Sequence, residues 1–284
     1  MIYLITRLPY AALMKLCRGL GNLMYACLVS RRRITLVNLS LAFPDMDESE
    51  RKTIARKAFQ HMGMAAGEMG WIWYRDPTNI PPFTLEGAER VDAALAEEKG
   101  VVLLVAHFTL VELCGAIVSE RWPVSVVYGS PKNALFADYL LYQRCRYVTS
   151  MINNRSIRDM IRYLRNKELV WISPDQSVGR GHGGVDTRYF GQPALSSTGT
   201  ARIEKMTGCK VLPVSPIRNA DGSAYSITFH EPLILDADPL VATQQVNDRM
   251  EAQIREHPEQ YLWAHKRFKP PSNQYPNPYK KKPS

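Results

Sequence analysis

The chain has 284 residues, 45% of them hydrophobic and 22% charged, and carries a formal net charge of +9. This is the composition of a globular protein with length enough for one large domain or two small ones, and the positive balance favours anionic partners: nucleic acid, anionic lipid or an acidic carrier protein. Five scattered cysteines without a CxxC pair exclude a disulfide framework and a zinc site, and point to a reducing compartment.

Residues 1–30 are apolar but interrupted by Arg7, Lys15 and Arg18, so no charge-free run is long enough for a clean membrane span. A signal peptide fits poorly, because the apolar stretch continues to Val29 and ends in Arg31–Arg33 without a small-residue cleavage site. From Pro9 onward Lys15, Arg18 and Asn22 form one narrow polar stripe on an apolar helix, the pattern of a helix lying in a membrane interface. Residues 34–80 read as helical, with a helix start at Asp47–Glu50. Met62, Met64, Met69, Trp71, Trp73 and Tyr74 give this region a soft aromatic face, which suits a core and also a groove for an acyl chain.

Beyond Phe83 short apolar runs alternate with helical stretches. Strands are expected at Val101–Ala106, Val124–Tyr128, Leu169–Ser173, Val211–Val214 and Tyr225–Phe229. Helices are expected at Glu89–Lys99, Thr109–Ser119, Ala134–Cys145, Ser156–Arg165, Ala201–Thr207 and Val241–Glu256. The alternation predicts an α/β fold with a mostly parallel sheet flanked by helices, preceded by the N-terminal membrane-associated helical segment. Residues 271–284 read as a mobile basic tail.

The stretch VVLLVAHFTLVE, Val101–Glu112, carries the chemistry. His107 follows a buried strand, where open α/β sheets place ligand sites. On one continuous helix His107 and Glu112 would point about 140° apart. They meet only if His107 lies on the strand-to-helix connection and Glu112 on the first helical turn. There the carboxylate would hold one ring nitrogen and leave the other free as a base. Cys114 beside this pair reads as a small buried hydrophobe and not as a nucleophile. Gly179, Gly181 and Gly184 match G-x-G-x-x-G, but no helical pattern follows, so the segment reads as a flexible glycine loop and not as a dinucleotide fingerprint. No nucleic-acid recognition motif accompanies the basic charge.

Several stretches together resemble one family. They are H-x4-E in VAHFTLVE, RRRITLVNLSLAFPD (Arg31–Asp45), PDQSVGRGHGGVDTRYFGQPA (Pro174–Ala194), VLPV (Val211–Val214) and PEQYLWAHKRFK (Pro258–Lys269). In this order they are similar to the late acyltransferases of lipid A biosynthesis, of the lauroyl/myristoyl type, within the wider H-x4-D/E lysophospholipid acyltransferase superfamily. One departure is Tyr128-Gly129-Ser130-Pro131, where the family commonly has Y-R-P. The polar stripe makes residues 1–30 the amphipathic membrane-associated helix, and on this resemblance residues 31–270 are the acyltransferase domain.

The resemblance implies transfer of a fatty acyl group from a thioester to a hydroxyl of a lipid A-type precursor, at the cytoplasmic face of an inner membrane. His107 would act as the base and Glu112 would orient it. Arg144, Arg146, Arg155 and Arg158 would offer planar forks to acceptor phosphate, and Asp175 and Gln176 would shape the site. Arg267, with His265 and Lys266, is a further phosphate candidate. The expected donor is acyl carrier protein, or acyl-CoA; the acceptor is a lipid on a membrane surface, and neither metal nor cofactor is needed. Two other readings are an acyltransferase for another glycolipid or aminolipid, and a non-catalytic basic protein that binds membrane.

Overall fold

The computed structural model describes residues 2–75, 79–129, 133–272 and 274–280. Its N-terminal part is helical: α1 (Ile2–Ile5), α2 (Tyr10–Cys27), α3 (Val29–Ala42) and α4 (Glu48–Tyr74). There follow β1 (Phe83–Glu86), α5 (Ala88–Ala96), β2 (Val101–Val105), α6 (Val111–Arg121), β3 (Val124–Tyr128) and α7 (Ala134–Arg144). Next come β4 (Ser150–Asn153), α8 (Ile157–Arg165), β5 (Leu169–Ile172), β6 (Gly184–Tyr189), β7 (Gln192–Ser197), α9 (Gly199–Thr207), β8 (Lys210–Arg218), β9 (Tyr225–Phe229) and α10 (Pro239–Glu256).

Seven strands form one sheet in the order β1-β9-β8-β2-β5-β3-β4. Every neighbouring pair is parallel except β8 and β9, which run antiparallel. The expected mostly parallel α/β sheet is therefore present. β2 lies inside it, with all five residues buried. Val101, Leu103 and Val105 pack into a core shared with α2, α4 and α6, whereas Val102, Leu104 and Ala106 pack into the opposite core with α8, α9 and α10. An unbroken apolar run is what a strand covered on both faces requires.

The helix expected to start near Asp47 does so: the Asp47 carboxylate caps α4 by accepting from the Glu50 amide at 2.8 Å. α2 packs closely on α4 through glycines. A Cβ on Gly21 would lie 2.3 Å from the Phe59 carbonyl oxygen, and one on Gly63 would lie 2.2 Å from that of Cys17. Leu13, Met14 and Cys17 of α2 are buried in this contact, while Leu16, Leu20 and Leu23, spaced along one face, are 50%, 42% and 58% exposed. No single helix among the described residues is long and apolar enough to cross a membrane; α2 and α3 together meet the test of length and composition, bent by 90° at their junction.

Two strands and a hairpin were not legible in the pattern. β1 and β4 are four-residue edge strands. The segment read as a flexible glycine loop contains the antiparallel β6–β7 hairpin, whose inner side chains pack on α10 and under Phe43. The stretch expected to be a mobile tail is tied at Tyr279, which donates to Asn38 Oδ1 at 2.5 Å and accepts from the Phe268 amide at 2.8 Å.

Candidate active site

β2 and β5 are adjacent and parallel, with Leu104 opposite Ile172. Three residues further along each chain stand His107 and Asp175, so the register alone brings them side by side at the carboxyl ends of the strands. Asp175 Oδ1 accepts from Nδ1 of His107 at 2.6 Å, and Oδ2 accepts from the His107 amide at 3.1 Å. Tyr261 donates its hydroxyl to the same Oδ2 at 2.8 Å. Asp175 is fully buried, while 28% of the His107 side chain is exposed. With Nδ1–H given to the carboxylate, Nε2 carries the lone pair, and it has no hydrogen-bond partner among the described residues.

Electrostatics follow from this pairing. Burial opposes a charged imidazole, but the charge and hydrogen bond of Asp175 outweigh it and the more distant Arg144 cation, so the pKa of His107 is raised above the ordinary 6.5. Burial alone would push Asp175 upward; His107 and the hydroxyl of Tyr261 instead hold it down, to about 2.

The segment Gln260–Leu262 holds the connection that bears His107. Leu262 donates its amide to the His107 carbonyl at 3.0 Å, and Thr109 donates to the Gln260 carbonyl at 2.8 Å. Gln260 in turn clamps Arg218, accepting from its amide at 2.9 Å and donating to its carbonyl at 2.7 Å. The Arg218 guanidinium is fully buried. It donates from Nη2 to Glu68 at 2.6 Å and from Nη1 to His61 Nδ1 at 2.7 Å and, less closely, to Thr109 at 3.4 Å. A buried chain of polar contacts thus joins α4 to the connection that follows His107.

Glu112 sits on the first turn of α6, as its expected partnership with His107 required. The partnership itself is corrected: no hydrogen bond joins the two among the described residues, because Asp175 already occupies Nδ1. Glu112 instead receives a two-pronged contact from Arg144, with Nε at 2.9 Å and Nη2 at 2.6 Å, and the hydroxyl of Tyr147. That arrangement satisfies the carboxylate completely with charged and phenolic donors.

His107, Glu112, Arg144, Arg155 and Gln176 all line one cavity of about 980 Å³. Arg158 is exposed on α8 outside the lining. Arg146 points elsewhere, donating to the Trp73 carbonyl and to Gln143. Arg267 is buried and donates to Leu195 and Ser196 of β7 while stacking over Tyr189, so it braces the hairpin instead of offering a fork to phosphate. The aromatic and thioether face of α4 is largely core: Met64, Trp71 and Trp73 are buried and none of them lines the cavity. Cys114 is buried with its thiol pKa pushed well up by burial, which removes thiolate character. Tyr261 and Gln260 were missed as site residues; equal offsets after two neighbouring strands were the signal for His107 with Asp175, but nothing local marks the third partner.

The chain is similar to known proteins over most of its length. Residues 1–270 match the model of the bacterial lipid A biosynthesis acyltransferases. The chain is 30% identical over 283 residues to the lipid A biosynthesis lauroyltransferase of Escherichia coli (strain K12), covering 98% of this chain and 92% of that protein. It is 32% identical over 270 residues to a lipid A biosynthesis acyltransferase of Haemophilus influenzae, covering 92% and 86%. A palmitoleoyltransferase of lipid A biosynthesis from Escherichia coli (strain K12) is 30% identical over 271 residues, covering 94% and 88%. With this match along nearly its whole length, the chain belongs to the bacterial lipid A biosynthesis acyltransferase family.

Proposed function

We propose that this protein moves a fatty acyl chain from the thioester of acyl carrier protein to a hydroxyl of a lipid A precursor, at the cytoplasmic face of the inner membrane. The observation that carries the reading is the His107 imidazole: Nδ1 is held by Asp175, and Nε2 has no hydrogen-bond partner among the described residues, beside a large cavity that His107 lines. A neutral imidazole with a pKa near working pH suits removal of a proton from an alcohol. In this scheme Nε2 takes the hydroxyl proton as the oxygen attacks the thioester carbonyl, and returns it to the departing thiolate. Asp175 stabilises the imidazolium formed between these steps. No covalent acyl-enzyme is required.

Glu112 acts through its neighbours. It fixes the guanidinium of Arg144 on the cavity wall through Nε and Nη2, and Nη1 remains for acceptor phosphate. Arg155 and Gln176 add polar groups to the same cavity wall, and Arg158 stays outside it. The exposed row Leu16, Leu20 and Leu23 supports α2 lying against lipid, and the net positive charge favours an acidic carrier as donor.

The test is lipid mass spectrometry on cells with the intact gene, without it, and with His107→Ala. Loss of one acyl chain from a lipid A species in the second and third strains supports the reading. Retention of that chain in the His107→Ala strain ends it, and loss from a different lipid class moves the enzyme to another glycolipid or aminolipid.

A further inference from the structure

Gly115 lies in the interior of α6, within VELCGAIVSER, where glycine is the least favourable residue after proline. It is buried, yet it lines the cavity. A Cβ built on it would meet one heavy atom within 4 Å among the described residues outside its own stretch of helix, Cε2 of Tyr147 at 3.9 Å. The missing side chain is therefore not dictated by a close backbone approach, in contrast to Gly21 and Gly63. What it leaves open is cavity space.

That space has a defined position. Gly115 is one turn beyond Glu112 and, with Val111, stands on the same face of α6. Val126 of β3, Leu140 of α7 and Val148 line the cavity with it, and Val111, Val126, Leu140 and Tyr147 share one hydrophobic cluster, which makes this arm of the cavity wall apolar. Tyr147 forms the opposing wall, and its hydroxyl is tied to Glu112, which fixes the ring. An apolar arm in the cavity that His107 also lines, bounded by a fixed ring, suits a hydrocarbon tail whose carbonyl end lies at the imidazole.

We propose that Gly115 determines the length of the acyl chain this protein transfers, by leaving the arm open for the distal methylenes of the donor. The inference rests on the acyl-transfer reading above and adds the residue that selects among donors. Each methylene that loses its place loses apolar contact, and discrimination of about tenfold or more per methylene is within reach of such a pocket.

The test uses the full-length protein as wild type, Gly115→Ala and Gly115→Leu, with saturated acyl thioesters of acyl carrier protein in two-carbon steps competing for one acceptor. The Ala variant should unfold at a temperature about 2–4 °C higher, because alanine favours the helix, while its preferred chain shortens. The Leu variant should shift the preference further, losing at least tenfold in kcat/KM for the wild type's best donor and far less for shorter ones. Uniform loss across all lengths, an unchanged profile in the Ala variant, or a preference that moves with the acceptor's chains would each overturn the assignment. If the Leu variant does not fold, the profile of the Ala variant decides. A wild type that transfers no chain from any thioester refutes the acyl-transfer reading itself, which separates that failure from this one.

Discussion

Nδ1 of His107 lies 2.6 Å from Oδ1 of Asp175, and both residues stand three places past a pair of facing strand residues, Leu104 and Ile172. The carboxylate raises the imidazole pKa above 6.5. A base must be neutral, so kcat/KM should climb with pH through an apparent pKa above 6.5 and level off beyond it. Asp175→Asn removes the negative charge, which makes the imidazolium less stable and moves that limb to lower pH. The amide also permits the wrong tautomer, and the plateau rate should fall by about 10²–10⁴-fold. A pH–rate profile of both proteins checks the shift and its sign.

Glu112 should behave differently. Glu112→Ala strands Arg144 and Tyr147, whose partner is only 13% exposed, and should cost about 1–3 kcal/mol of stability in urea unfolding. The acid limb of the rate profile should stay in place, because His107 takes its orientation from Asp175. The KM for acceptor should rise as Arg144 loses its anchor. A limb that moves as far as in Asp175→Asn would instead place Glu112 on the imidazole.

Glu68 and Arg218 are 1% and 0% exposed. Removing one member leaves an uncompensated buried charge, so Glu68→Ala should destabilise by about 3–5 kcal/mol. Replacing both with methionine should recover much of that loss, since the desolvation cost disappears with the pair. Chemical denaturation of the single and double variants measures the coupling. Activity of the double variant should remain lower than its stability suggests, because Thr109 loses a donor beside the His107 connection.

Two glycines on the N-terminal helices should diverge. Gly63→Val drives side-chain atoms into the Cys17 carbonyl and should cost about 1–3 kcal/mol or more as α2 lifts from α4. Gly19→Ala meets nothing within 4 Å and should be neutral or stabilising through helix propensity. Thermal unfolding of the two variants, with vesicle cosedimentation to follow the exposed row on α2, distinguishes packing from lipid contact.

The central strands were readable because β2 and β5 are apolar runs bounded by turns, and the start of α4 because Asp47 precedes Glu50 at capping distance. The edge strands β1 and β4 were not: each has four residues and lacks a continuous apolar run. The β6–β7 hairpin was hidden by its glycines, which imitate a loop until Phe43 and α10 cover the pair. At the site, His107 was recognisable from its place after a strand. The partner was misassigned because H-x4-E draws attention to the near carboxylate, while the hydrogen-bonded one comes from the neighbouring strand. Spacing along one segment says nothing about which strands become neighbours, and that is what chose Asp175 over Glu112.

The brace across the connection after β2 also sets an order in time. Chains emerge and begin folding from the amino end, so β2, β5, β3 and β4 can pair before Gln260, Tyr261 and Leu262 have been made. Until those three arrive, the carbonyl of His107 and the far oxygen of Asp175 lack their last donors. A chain that has not yet reached these residues therefore holds the His107 connection without the brace that the finished fold gives it.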